Sequence, residues 1–457
     1  MFLGRFHASL SRKLCTIKNT FPKVLRRSDL PTRSYSTLLA FGDASWGMTG
    51  QDPLLGSKSV YDPEKVDGLP SDLSKIITGP MHNLAVTENG RLWGWGRNSE
   101  GQIRGMVRED WEEPGITTRG NFQAPIEISG PWVDLGRRVV EAAASGVVSY
   151  AIDCKGDLWS WGYSKRGQLG LGVGITQATQ PQLVPALSGL NVVSISAGWG
   201  HTLCRTESGL VYAWGYSTKG RLGFEMPGSA PPTEERLCAS RASDAADAVS
   251  RADVFINEAL EEEEAQLAAA IVWDPTCIQS LANVKVAHVA CGMDHSLVVS
   301  EDGSLFAFGE DRDGQLGPQL HRNASNRDWA MRTLFLEEPV LTATAGMSHT
   351  VVVTKEHKIY TLGSNFGGQL GRQDRGAIGE VVANASVKPW SSIAAGRAHT
   401  MALAANGTLW AWGSGYNGRL GTGGSDEEPS PVEVDMLQGE NILQVACGHD
   451  YTLVLCE

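Results

Sequence analysis

Five histidines, His82, His201, His295, His349 and His399, stand in nearly the same local text, as in "GWGHT", "GMDHS", "GMSHT" and "GRAHT". Imidazole suits proton transfer near neutral pH and the binding of borderline metal ions. Either task needs unlike groups converging on one point, and it needs them once. A residue that returns at one place in successive copies of a phrase is expected to hold each copy together. The eight cysteines (Cys15, Cys154, Cys204, Cys238, Cys277, Cys291, Cys447 and Cys456) show neither Cys-x-x-Cys spacing nor a histidine in metal-ligand register. They read as free thiols in a reducing compartment, and Cys291 and Cys447, which precede a glycine where other copies have Ala197 or Ala395, read as small core fillers. No nucleophile elbow, phosphate-binding loop or paired-carboxylate motif stands out. The sequence therefore predicts no catalytic residue, no metal site and no cofactor.

Charge supplies the other candidates. Consecutive loops "GRNSEGQIRG", "GYSKRGQLG" and "GYSTKGRLG" carry Arg97, Arg104, Lys165, Arg166, Lys219 and Arg221, and the next, "GEDRDGQLG", reverses sign with Glu310, Asp311 and Asp313. A locally basic rim on an acidic chain suits phosphate groups of RNA, or a protein partner; the alternative is an ordinary solvated rim.

The elements that position these residues are repeats. One sub-motif runs "GPMHNLAVT" at Gly79, "GVVSYAID" at Gly146, "GWGHTLCRT" at Gly198, and so on to "GHDYTLVL" at Gly448. The other is an aromatic end such as "LWGWG" or "LWAWG", closing at Gly42, Gly96, Gly162, Gly215, Gly309, Gly363 and Gly413. Between them lies a hairpin signal such as Asn89-Gly90 or Asp302-Gly303, absent only from "TKEHKI". Side chains alternate along a strand, so Trp93 and Trp95 share one face and Gly94 the other. The first copy has only a second half and the last only a first half. Two halves that complete each other close a ring and remove its open edges. The expected fold is all-β, a seven-bladed β-propeller over residues 37–457 closed by pairing of the N- and C-terminal half-repeats. Its 53 glycines and 14 tryptophans follow from that repetition.

Two segments fall outside the pattern. Residues 225–276 read as an acidic, helical insertion, with twelve acids against three bases and an apolar stripe from Val249 to Ile271. It is either a flap packed on the rim or, through Glu261, Glu262, Glu263 and Glu264, a docking element for a basic partner. Residues 1–36 hold eight Lys or Arg against Asp29, the make-up of a mitochondrial transit peptide, with "RSYS" at Arg33 as the expected cleavage point. Removing them moves the formal charge from −12 to −19. The alternatives are a plastid address or a basic arm that stays attached and binds nucleic acid. No apolar run approaches the roughly 18 residues that cross a bilayer, so membrane insertion is not expected.

The "GxxHT" and "LWxWG" phrases, followed by "GQLG" at Gly167–Gly170, Gly314–Gly317 and Gly368–Gly371, resemble the regulator of chromosome condensation repeat over about residues 37–457. The Trp-Asp pair of another propeller family occurs only at Trp273-Asp274, outside the repeat text. The resemblance implies one of three functions. The founding member promotes nucleotide exchange on a nuclear GTPase, which here would become exchange on an organellar small GTPase. The plant UV-B photoreceptor needs clustered tryptophans in successive "GWRHT" copies, of which this chain has only Trp199. Mitochondrial members, the plant ones most similar in layout, act in organellar RNA processing, including intron splicing, and in respiratory complex I biogenesis. The expectation is a monomeric, non-catalytic adaptor of the mitochondrial matrix, holding RNA-processing or assembly proteins or RNA itself.

Overall fold

Each repeat places β-forming runs on either side of a glycine turn, and in the computed structural model each becomes one four-stranded antiparallel sheet, seven in all. The structure describes residues 35–50, 59–104, 121–224, 270–318, 331–334, 336–372, 378–381 and 389–457. Contacts divide the chain into Met1–Tyr35, of which only Tyr35 is described, and Ser36–Glu457, the propeller. Blade 1 runs outward from the axis through Leu73–Thr78, His82–Thr87, Leu92–Gly96 and Phe122–Ile128. Blades 2 to 6 begin at Val139, Val192, Val286, Val340 and Trp390. Blade 7 takes Ile442–Cys447 and Tyr451–Cys456 from the end of the chain and Thr37–Asp43 and Ser59–Lys65 from its start, with Thr37 opposite Cys456 and Leu39 opposite Val454. The half-repeats thus pair as their text requires.

In antiparallel blades the connections alternate between faces. The loops from first to second strand and from third to fourth lie on one face; the hairpin turns and the links between blades lie on the other. Gly90, Gly156, Gly209, Gly303 and Gly407 occupy the hairpin turn with φ of 76° to 95°. In the copy without a glycine His357 takes that conformation, at φ 61°, and its Nδ1 lies 2.9 Å from the Trp390 carbonyl. Among the described residues no helix is long and apolar enough to cross a membrane.

Two boundaries differ from the sequence reading. Ile271–Cys277, counted within the helical insertion, is the outermost strand of blade 3, pairing with Tyr212–Tyr216. "IVWDPTC" is β-branched and aromatic at its start and carries a proline, which suits an edge strand; Trp273-Asp274 therefore lies inside a blade. Residues 225–269 of that insertion, with Glu261–Glu264, lie outside the described residues, as does nearly all of residues 1–36. In blade 2 the repeat position belongs to Ser145 and not Gly146, because the Ser145 amide donates to the Val148 carbonyl (2.9 Å) as the Gly79 amide does to His82 (2.8 Å).

Candidate functional site

The histidines are joints between blades. Each begins the second strand of its blade, is fully buried, and directs Nε2 at a hydroxyl of the next: His82 to Ser149 (2.7 Å), His201 to Ser296 (2.8 Å), His295 to Thr350 (3.0 Å), His349 to Thr400 (3.0 Å) and His399 to Thr452 (3.1 Å). The hydroxyls donate their own protons to carbonyls in the "GQIRG", "GQLG" or "GRLG" loop: Ser149 to Gln102, Ser296 to Arg221, Thr350 to Gln315, Thr400 to Gln369 and Thr452 to Arg419. A hydroxyl has one proton, so each histidine is assigned as the donor from Nε2, with a bare Nδ1. Nδ1 is indeed the buried atom without a partner in all five. Burial lowers every one of these pKa values, to about 3 for His82 and His349 and about 4 for His295. Tyrosines fill the other two joints. Tyr150 meets Thr202 at 2.8 Å, and Tyr451 meets Asn83 at 2.7 Å, which closes the ring of contacts.

The glycines of the phrases make room for these joints. A Cβ on Gly198 would stand 2.6 Å from the His201 ring, and the same clash arises at Gly292, Gly346 and Gly396. The aromatic ends serve the same seam. Trp214 donates Nε1–H to the Gln168 carbonyl at 2.7 Å and Trp412 to that of Gln369 at 3.0 Å, while Gly170 and Gly371 lie against those indoles. Large and small residues recur together because one blade's aromatic packs on the preceding blade's glycine.

The six candidate cations share the loop face, but the structure leaves few of them open. Arg221 is only 3% exposed; Nη1 contacts Asp294 at 2.5 Å and Nε donates to the Thr218 carbonyl at 2.8 Å. It is a structural joint rather than a phosphate contact, and Arg419 repeats it with Asp450 at 2.6 Å. Lys219 pairs with Glu310, so the sign reversal in blade 4 neutralises its neighbour's charge. Arg97 pairs with Glu100 at 2.8 Å and lies 5.8 Å from the Trp46 ring, and Arg104 stands over Phe122 at 5.5 Å. Lys165 and Arg166 are exposed, with the Arg166 guanidinium 5.2 Å from the Tyr216 ring. Sequence spacing could not separate them: Glu100 lies in the same loop as Arg97, but Asp294 and Glu310, which take up Arg221 and Lys219, come from the next blade.

At the centre of the same face opens an axial cavity of about 310 Å³, lined by the innermost strands of the blades. Trp199 of blade 3 and His449 of blade 7 face each other at its mouth, ring centroids 6.2 Å apart. The Arg397 amide donates to the His449 carbonyl at 3.0 Å, and its guanidinium lies 3.4 Å from Asp450. Burial alone would raise the Asp450 pKa, but the His449 hydrogen bond, Arg419 and Arg397 hold it down to about 2. Cys291 and Cys447 line the cavity, and burial pushes both thiols up to about 12, which fits fillers rather than nucleophiles. Among the described residues no group of three His, Cys, Asp or Glu could hold a metal ion. The mouth cluster was not picked out by the sequence reading, although Trp199 stood apart as the one tryptophan in its repeat position.

A family profile described as RCC1-like domain matches residues 37–454. The ultraviolet-B receptor UVR8 of Arabidopsis thaliana is 31% identical over 71% of this chain and 61% of its own length, so the alignment leaves over a third of that receptor unmatched. The solved structure of human WBSCR16 superimposes with a TM-score of 0.71 at 21% identity, covering 93% of this chain and 99% of that one. Prp20p of Saccharomyces cerevisiae, whose binding to Gsp1p and histones was described with its structure, superimposes with a TM-score of 0.70 at 24% identity, covering 93% and 92%. At these identities the two structures bear on the fold alone.

Proposed function

The chain belongs to the RCC1-like domain family, and from that premise we propose that it is a non-catalytic scaffold whose loop face holds partners in the mitochondrial matrix, in organellar RNA processing, including intron splicing, and complex I biogenesis. The observation that carries the reading is the division of roles among the polar residues. The recurrent histidines are buried donors committed to the seams, while Lys165 and Arg166 stay exposed beside Tyr216. Two adjacent cations backed by an aromatic ring suit a phosphate chain with unstacked bases. The matrix address rests on the basic composition of residues 1–36.

The test is to purify the full chain, tagged after the exposed Glu457, from cross-linked mitochondria and to sequence the RNA and identify the proteins that accompany it. Specific organellar transcripts should be enriched and should fall several-fold with Lys165→Ala plus Arg166→Ala. Equal recovery from that variant overturns the assignment of the cations. A second reading is nucleotide exchange on an organellar small GTPase, which follows from membership of the RCC1-like family over residues 37–454. Recovery of a GTPase preferring the nucleotide-free state, without RNA, would put that reading first.

A further inference from the structure

The arc of the loop face formed by blades 5, 6 and 7 has a different chemistry from the Lys165 side. Phe366 is 97% exposed, Tyr416 63% and Tyr61 41%. They belong to one continuous surface. A Cβ on Gly367 would meet Ser414 at 3.0 Å, and one on Gly368 would meet Glu427 Oε1 at 3.2 Å, so the Phe366 loop leans on the blade 6 loops that carry Tyr416 and Glu427. Those in turn lean on blade 7, where a Cβ on Gly418 would stand 2.7 Å from the Tyr61 Cα and one on Gly423 3.6 Å from Asp62 Oδ1. Asp62, Asp426 and Glu427 are exposed. The described arginines of these outer loops are withdrawn: Arg372 is 6% exposed and donates to the Thr361 carbonyl, and Arg419 is 3% exposed and paired with Asp450; Arg397, which is exposed, lies inward at the axial mouth beside Asp450. Arg419 nevertheless places its guanidinium 5.6 Å from the Tyr416 ring, so that ring already holds a cation on one face.

An aromatic face carries negative electrostatic potential and attracts cations, and adjacent carboxylates add to that attraction. Among the described residues of these outer loops a phosphate chain would meet three exposed carboxylates and no exposed arginine. We propose that this surface docks an extended arginine- and lysine-bearing segment of a partner protein, its cationic groups stacking on Phe366 and Tyr416 and pairing with Asp62, Asp426 and Glu427. The adaptor reading does not enter this inference, which would give the ring a second binding arc of opposite sign.

The probe is a fluorescent synthetic peptide of repeating Arg-Gly-Ser, titrated with the full chain by anisotropy at physiological salt. Phe366→Ala plus Tyr416→Ala should weaken binding by roughly tenfold, the effect of two cation–π contacts. Phe366→Tyr should retain affinity, and Asp313→Asn plus Glu301→Gln, acids elsewhere on the ring, should leave it unchanged. No binding by the native chain, or equal weakening by the two kinds of variant, overturns the proposal, since the second outcome means unspecific attraction to an acidic protein. An oligouridylate probe that binds and is released by the same aromatic substitutions would assign the arc to nucleic acid instead. The mitochondrial pull-down reads Lys165 and Arg166, so failure of one experiment leaves the other standing.

Discussion

Each buried histidine is held neutral by a hydroxyl that accepts its Nε2–H hydrogen bond, and for His201, His295, His349 and His399 a glycine leaves the ring its space. His295→Ala removes one hydrogen bond and leaves a cavity at the seam between blades 4 and 5. The expected loss is about 2–4 kcal/mol of stability, read from denaturant or thermal unfolding. The histidines also set the response to acid. Unfolded histidine takes up a proton near its ordinary value of 6.5, whereas folded His82 and His349 resist protonation down to about 3 and His295 to about 4. Their depressed folded pKa values mean that the contribution is full above 6.5 and declines as pH falls toward those folded values. The slope for each histidine is up to about 1.4 kcal/mol per pH unit. The melting temperature should therefore fall steeply between pH 6.5 and pH 4, and less steeply in His295→Gln; a flat profile would contradict the assigned neutral state.

At the scale of the element, the glycine that ends each third strand has a positive φ in every blade, from 103° to 121°. At Gly413 a Cβ would also stand 2.5 Å from the Ala398 carbonyl, where a side chain cannot fit without moving the second strand. Gly136 has φ 64° with nothing within 4 Å of a Cβ. Gly136→Ala should cost about 1 kcal/mol from conformation alone, and Gly413→Ala distinctly more, about 3 kcal/mol or beyond. Unfolding midpoints of the two variants compare them directly. The "GRLG" loops make a related prediction. Arg221→Ala strips Asp294 of its buried partner and should lower the melting temperature, whereas Arg166→Ala should leave it unchanged. Equal effects would return Arg221 to the set of surface cations.

For the whole molecule, closure is the condition of stability. Blade 7 joins strands more than 400 residues apart in sequence, with Thr37–Asp43 paired along Tyr451–Cys456, and the joint from Tyr451 to Asn83 ties that blade to blade 1. A chain ending at Asn441 would leave blade 7 with two strands and uncover the packed faces of blades 1 and 6. Such a chain should lose its cooperative unfolding transition and aggregate on expression, as circular dichroism and size-exclusion chromatography would read. A soluble, cooperatively melting product would show that an open array is stable.

Repeat text, hairpin turns and the two complementary half-repeats were enough to predict seven blades and their closure, because each is a local periodicity or a matter of chain ends. The histidine positions were likewise legible as structural, since recurrence is visible in one dimension. The register of blade 2 was not: Gly146 and Ser145 are adjacent, and only pairing with the neighbouring strand decides which one faces the joint. The strand at Ile271–Cys277 was masked by the acidic, helix-forming text before it, and partners in the third strand of its blade settled its state. Charge was the least legible feature. Arg221 and Lys165 look alike in sequence, but the carboxylate that buries Arg221 arrives from the next blade, across the long insertion. Local propensity and periodicity act along the chain and could be read there; exposure and pairing depend on which loops the closed ring brings together, and only the tertiary structure decides them.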